Sequence, residues 1–217
     1  MSKTGIQDWL TQLKTELLDI TLPLARQYWP GSTPQDEPYY NYRYQHVEQV
    51  ERDALKLLKA QDGDEDIVLA AVWIHDRYKP QFEGEKHAAR AAEWVKENLG
   101  KTGFPTGKIP AVVYAVANHA NPPHTIPEKY EEARILWDAD KLNKIGAVMV
   151  AYSLCSCGAY PQTKVDFAWI RNEMRNWLER TTNLPDDFYF SLSREIGRER
   201  WNTLKAFCDA LDEETAF

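Results

Sequence analysis

The chain has 217 residues, 43% hydrophobic and 12% aromatic, enough apolar material to fill the core of one compact domain, which excludes a disordered chain. Its 26 basic and 33 acidic residues leave a net charge of −7, which argues against general binding to a nucleic-acid backbone while leaving room for a local basic pocket. No apolar run reaches membrane-spanning length, and the opening MSKTGIQDWLTQLKTELLDI lacks the charged-then-apolar order of a secretory signal, so a cytoplasmic protein without a membrane segment is expected.

Nearly every long segment has apolar residues three and four apart, with Pro and Gly grouped between segments, which predicts an all-α fold. The first helix spans 6–28 with Trp9, Leu10, Leu13, Leu17, Ile20 and Leu24 as its apolar stripe, and WPGSTPQDEP ends it. A second helix over 41–60 carries His46, Val47, Val50, Leu55 and Leu58 before the turn-forming QDGDED. The third, 66–76, is almost wholly apolar until His75. A fourth runs over 84–99 to Gly100, and after KTGFPTGK a fifth spans 109–119, stopped by Asn121 and two prolines.

The sixth helix, 131–153, carries Asp138 and Asp140, with Ile135, Ala139, Leu142, Gly146 and Met149 on its apolar face. Helices over 163–180 and 186–208 complete the chain. Without a repeat or a shift in composition, one domain over 1–217 is expected, its terminal helices packed on a central bundle. Trp169, Trp177, Phe188, Tyr189 and Phe190 either form a homodimer surface or join the C-terminal helices to the core. The odd number of cysteines, Cys155, Cys157 and Cys208, reads as reduced thiols.

IVLAAVWIHD and IPAVVYAVANH share a design, a buried helix whose apolar run ends in a histidine. Such a helix delivers polar groups to the centre of a bundle, where a metal ion compensates their desolvation. All five histidines, His46, His75, His87, His119 and His124, fall within 46–124. Asp138 and Asp140 lie on opposite edges of the apolar face of their helix, so only one of them is expected to meet a given ion; the alternative is ion pairing with Lys141 and Lys144. His46, the His75-Asp76 pair and one of these aspartates form the mixed nitrogen and oxygen donor set of a catalytic divalent transition ion.

The ordered segments RYQHVEQV, AAVWIHD, EKHAARAAEWV, GFPTGKIPAVVYAVANH and EARILWDADKLNKIGA resemble the successive motifs of small stand-alone bacterial members of the HD-domain metal-dependent phosphohydrolase superfamily, over about 42–150. The resemblance implies that His46, His75, Asp76 and Asp140 bind one divalent transition ion, Mn first, with Fe, Co, Ni, Zn or Mg also admissible. Asp140 is preferred because Ala-Asp-Lys-Leu-Asn matches the segment that holds the last ligand. Asp138 then orients a histidine ring or Lys141, or forms a structural ion pair. In some HD proteins further histidines hold a second metal, and in others they touch substrate phosphate or water; for His87 and His119 the second role is expected.

HD nucleotidases and guanosine-tetraphosphate hydrolases often carry a Glu three residues after the metal-binding Asp, and this chain has Lys79. A lysine suits phosphate neutralisation better than proton abstraction, which leaves the metal hydroxide, Asp76, Glu83 or Glu85 as the base. Catalysis is expected of Asp76, Lys79, His87 and His119, and substrate contact of Arg43, Lys79, His87, His119 and Lys141. Arg43 and Lys141 read equally as exposed helix residues, as does Arg77, and His124 reads as a surface residue. PYYNYRY either walls a base-binding pocket or covers the start of the second helix, and Trp73 and Trp94 read as core. The expected function is hydrolysis of a phosphoester or phosphoanhydride in a small phosphorylated metabolite, with nucleotides the leading class. The alternatives are an HD-like di-iron oxygenase using His87 and His119 as extra ligands, and a non-catalytic nucleotide-binding sensor.

Overall fold

Eight consecutive buried residues, from Ile67 to Ile74, form the middle of the protein. They belong to α3 (Glu65–Ile74), which packs against α1 (Thr4–Tyr28), α2 (Tyr42–Leu58), α5 (Ile109–Asn118) and α6 (Glu131–Leu142). With every side covered, an apolar surface all round is what its position requires. The structure, a computed structural model, describes residues 4–28, 40–79, 85–156 and 166–215. Among them the remaining helices are α4 (Glu85–Asn98), α7 (Ala147–Ser156), α8 (Phe167–Arg180), α9 (Leu184–Asp187) and α10 (Ser191–Thr215), with no strand. No helix among the described residues is long and apolar enough to cross a membrane. The segment WPGSTPQDEP lies outside the described residues, as does Cys157; Cys155 is exposed, Cys208 is buried, and both are free.

Local chemistry starts these helices where the periodicity predicts. Asp64 accepts from the backbone N–H groups of Asp66 and Ile67 and so caps α3, an arrangement worth about 1 kcal/mol. Lys108 then bridges Asp64 and Asp66 at 2.8 and 2.7 Å, tying the loop before α5 to that cap. Trp9, Leu13 and Leu17 of the expected stripe are buried, and Trp9 meets Phe104 edge to face at 5.0 Å. Trp73 is core, while Trp94 is partly buried against it.

Two expected helices are each divided. The sixth breaks between α6 and α7 because Gly146 has φ of +86°, and Arg200 packs so close that a Cβ there would lie 2.9 Å from the arginine Cβ. The last breaks between α9 and α10, where Phe188 is buried against Gly197; a Cβ on that glycine would come within 2.5 Å of the ring. Phe188 is therefore core, and Trp177, Tyr189 and Phe190 pack against the core, the second of the two roles expected for them. Residues 163–165, the expected start of the seventh segment, lie outside the described residues.

Candidate metal centre

Six buried side chains converge where the helices end. His46 comes from the second turn of α2, His75 caps the C-terminus of α3, Asp76 follows it, His87 lies in the first turn of α4, His119 caps α5, and Asp140 sits in the last turn of α6. They form two triads, His46 with His75 and Asp140, and Asp76 with His87 and His119; within each, the donor atoms lie within 4.8 Å of one another. Asp76 stands between the two, its Oδ2 3.7 Å from His46 Nε2 and its Oδ1 3.8 Å from His75 Nε2, 3.4 Å from His87 Nε2 and 3.6 Å from His119 Nε2.

The shared design of IVLAAVWIHD and IPAVVYAVANH has a structural counterpart. His75 Nδ1 donates to the Val72 carbonyl and His119 Nδ1 to the Val116 carbonyl, both at 2.7 Å. Carbonyls in the last turn of a helix lack intrahelical partners, so each histidine satisfies its own helix end and turns Nε2 inward as a lone pair. The Nε2 atoms of His87 and His119 are 3.0 Å apart. Because His119 already carries its proton on Nδ1, that contact takes its proton from His87.

Burial holds His46 and His75 down at about 4 and lowers His119 as well, so these rings are neutral at pH 7. Burial works against ionised Asp76 and Asp140, yet Lys79 beside Asp76, and Lys141 and Lys144 beside Asp140, keep both well below the usual carboxylate range.

Four cations ring these carboxylates. Arg43 and Lys79 lie 3.6 and 3.7 Å from Asp76, and Lys141 and Lys144 lie 2.6 and 3.4 Å from Asp140. Lys141 also donates to the His119 carbonyl at 3.1 Å. Burial disfavours the Lys144 ammonium, but Asp140 and Asp76 outweigh it and hold the lysine above its usual range. Lys144 was not among the candidate site residues read from sequence; its spacing of four from Asp140 was the available signal.

Other residues lie elsewhere. Asp138 touches neither a histidine ring nor Lys141; fully buried, it accepts from the backbone N–H groups of Tyr189 and Phe190 at 3.0 and 3.1 Å, just before α10. Its expected orienting or ion-pairing role is corrected accordingly, because the opposite edge of α6 faces the open N–H groups of that helix start. Arg77 pairs with Glu16 at 2.9 Å and lies over the Trp94 ring, and His124 is exposed near Asp187. Glu83 lies outside the described residues, and the side chain of Glu85 is not described.

The donor set fits a divalent ion. Nε2 of His46 and of His75 and Oδ2 of Asp76 are buried without a hydrogen-bond partner, although His46 Nε2 lies 3.2 Å from Asp140 Oδ1, out of line for a hydrogen bond. Buried polar atoms are rarely left without partners, and a divalent cation among them would satisfy all three.

A helical bundle with buried imidazoles and carboxylates in two adjoining triads defines an all-α protein built around a candidate metal centre. No protein-family model matches the chain, and no curated protein does. Solved structures match it along almost its whole length. Bacillus subtilis YpgQ aligns over 98% of this chain and 96% of its own, with a TM-score of 0.67 and 16% identity. An HD-superfamily hydrolase from Bacillus thuringiensis aligns over 94% and 100%, at 0.58 and 17%. A predicted HD-superfamily hydrolase from an uncultured Thermotogales bacterium aligns over 91% and 92%, at 0.54 and 21%. The chain has the fold of the HD superfamily.

Proposed function

We propose that this protein is a metal-dependent hydrolase that cleaves a phosphoester or phosphoanhydride bond in a small phosphorylated metabolite, with nucleotides as the substrate class. The observation that carries this reading is the set of buried, partnerless donor atoms on His46, His75 and Asp76 beside Asp140 and four cations. His46, His75, Asp76 and Asp140 would hold one ion, and their nitrogen and oxygen atoms suit Mn first, with Fe, Co, Ni, Zn or Mg also accepted. An ion held there would supply a water of lowered pKa and polarise a phosphoryl oxygen.

The side chains supply the rest. Neutral histidines keep lone pairs available, and the ionised aspartates add two negative charges against the four positive charges of Arg43, Lys79, Lys141 and Lys144. The surplus positive charge draws a phosphate group before any ion is counted. Arg43 offers a planar fork to phosphate oxygens, and Lys79 a point charge. His87 and His119 meet each other through Nε2, and a water or phosphate oxygen entering between them would find the His87 donor and the His119 acceptor. The structure of Bacillus subtilis YpgQ in complex with ADP supports nucleotides as the ligand class.

One observation favours a second reading. His87 and His119 both approach the Asp76 oxygen that also faces His75, so Asp76 could bridge two ions, with His87 and His119 as ligands of the second.

The test is the metal content of the wild type beside His75→Ala and Asp140→Ala, followed by a screen of phosphorylated metabolites on the metal-loaded protein. One ion per chain, lost in both variants, with phosphate or pyrophosphate released only when metal is present, supports the first reading; two ions support the second. Two irons with a mixed-valence signal and oxygen uptake would mean an oxygenase, and nucleotide-dependent stabilisation without product a sensor. Failure of phosphatase, nucleotidase, pyrophosphatase and phosphodiesterase assays to exceed the metal-free level with Mn, Mg, Ni and Co would end the hydrolase reading.

A further inference from the structure

A cavity of about 340 Å³ opens between α2 and α7, and His46 contributes to its wall. Three tyrosines line it. Tyr42 and Tyr152 are stacked with ring centroids 3.5 Å apart and planes at 25°, and Tyr40 leans on both at 6.5 and 6.4 Å. The fourth tyrosine of this stretch, Tyr44, instead packs on Trp73 at 5.4 Å, so the PYYNYRY segment divides between core and cavity; its Pro38 and Tyr39 lie outside the described residues.

The remaining lining narrows the class of ligand. Gln45 and Gln49 each offer an amide that donates and accepts, and Arg52 adds a donor fork. Aromatic faces with both kinds of hydrogen-bonding group suit a planar heterocycle, which stacks on one surface and carries donors and acceptors on its edge. A fatty chain would need an aliphatic wall instead. Val148 lines the same cavity and is 43% exposed, an apolar surface that a planar ring would cover. The volume lies at the small end of ligand pockets and exceeds what a base alone fills.

The cavity also joins the candidate metal centre. Tyr42 stacks on His46 at 5.9 Å and 29°, and the Arg43 guanidinium lies 4.9 Å from the Tyr42 ring and 3.6 Å from Asp76. The aromatic wall of the cavity therefore borders a cation of the candidate metal centre. Burial raises the Tyr40 phenol to about 12 and moves the Tyr42 phenol up as well, so both remain neutral hydroxyls able to donate.

We propose that this cavity binds the nucleobase of a nucleotide whose phosphate group lies against Arg43, Lys79 and Lys144. The phosphate end of this assignment rests on the hydrolase reading above, whereas the base end stands on the cavity itself. The specificity for nucleotides over other phosphorylated metabolites then comes from α2 and α7 and not from the metal ligands.

The experiment titrates adenosine, guanosine, cytidine and thymidine, which carry no phosphate, into metal-free wild type, Tyr152→Ala and Tyr152→Phe at millimolar concentrations. It then compares the corresponding nucleotides with ribose 5-phosphate as substrates of the Mn-loaded forms. The expected result is saturable binding of at least one nucleoside, weakened about tenfold in Tyr152→Ala and retained in Tyr152→Phe, as stacking on an aromatic face requires. In turnover, the nucleotide KM rises in Tyr152→Ala, and the preference for nucleotide over ribose 5-phosphate falls by a similar factor. If no nucleoside saturates the wild type, or if Tyr152→Ala binds as tightly as wild type, the base pocket is overturned. Nucleoside binding that depends on Tyr152 without hydrolysis of any nucleotide would keep the pocket and remove the hydrolase reading. Hydrolysis of ribose 5-phosphate and nucleotides at equal efficiency without nucleoside binding would do the reverse.

Discussion

Asp53 of α2 and Arg200 of α10 are joined fork to fork, with Nη1 to Oδ2 at 2.7 Å and Nη2 to Oδ1 at 2.6 Å. The same Nη1 reaches the Leu142 carbonyl at 3.0 Å, and Asn143 donates to Asp53 at 3.1 Å, so the pair also fastens the end of α6 just beyond Asp140. Arg200→Met leaves the Asp53 carboxylate buried without its cation and is expected to destabilise the protein by about 2 kcal/mol, below the value for a fully buried pair because Arg200 is partly exposed. Urea unfolding measures the loss, and Asp53→Asn combined with Arg200→Met should recover part of it. Additive effects of the two substitutions would contradict the coupling.

Gly146→Ala combines a left-handed backbone with a methyl group driven against Arg200. The backbone alone costs about 1 to 2 kcal/mol, and contact with Arg200 adds to it. A thermal midpoint equal to that of the wild type would mean that α6 and α7 can fuse into the single helix their apolar spacing suggests.

Asp138 and Asp140 should separate cleanly. Asp138→Ala removes the acceptor for two backbone N–H groups ahead of α10 and is expected to lower stability by about 1 to 2 kcal/mol while metal binding survives. Asp140→Ala should abolish metal binding. Calorimetry and metal analysis on the same samples decide; loss of metal in folded Asp138→Ala would show that Asp138 acts on the centre.

The metal-free protein should lose stability in mild acid. His46 and His75 fall from 6.5 to about 4 on folding, so between those values the unfolded chain binds more protons and stability drops as the pH falls through that window. His119, also lowered, acts in the same direction. Asp138 opposes them: burial raises it to about 6, so its contribution is complete below the ordinary carboxylate value of 3.8 and is lost as the pH rises through 6. The histidines outnumber it, and urea midpoints measured from pH 7 down to pH 4 should fall. Asp138→Asn should steepen that fall, and a flat profile would show that the rings are not held neutral.

Lys144→Gln removes one cation from the proposed phosphate side while leaving the proposed ligands in place. A charge-assisted hydrogen bond of roughly 1.5 kcal/mol corresponds to about a tenfold rise in KM for the phosphorylated substrate, with metal content retained. An unchanged KM would show that Lys144 serves only to balance Asp140.

Much of this architecture is legible in the sequence because apolar side chains recur at helical spacing: the buried run of α3, the stripe of Trp9, Leu13 and Leu17, and the histidines that end α3 and α5 can all be read directly. The aromatic segment before α2 can also be recognised as either cavity or cover. Other features depend on contacts between distant parts of the chain. Arg200 packs against the turn at Gly146, the start of α10 recruits Asp138, and Tyr152 completes a wall begun by Tyr40 and Tyr42. Periodicity reports which side of a helix is apolar, whereas the neighbour that meets that side is chosen when helices remote in sequence bury their surfaces together. The six histidines and aspartates can be named from the sequence; their division into two triads about Asp76 exists only once α2, α3, α4, α5 and α6 have packed.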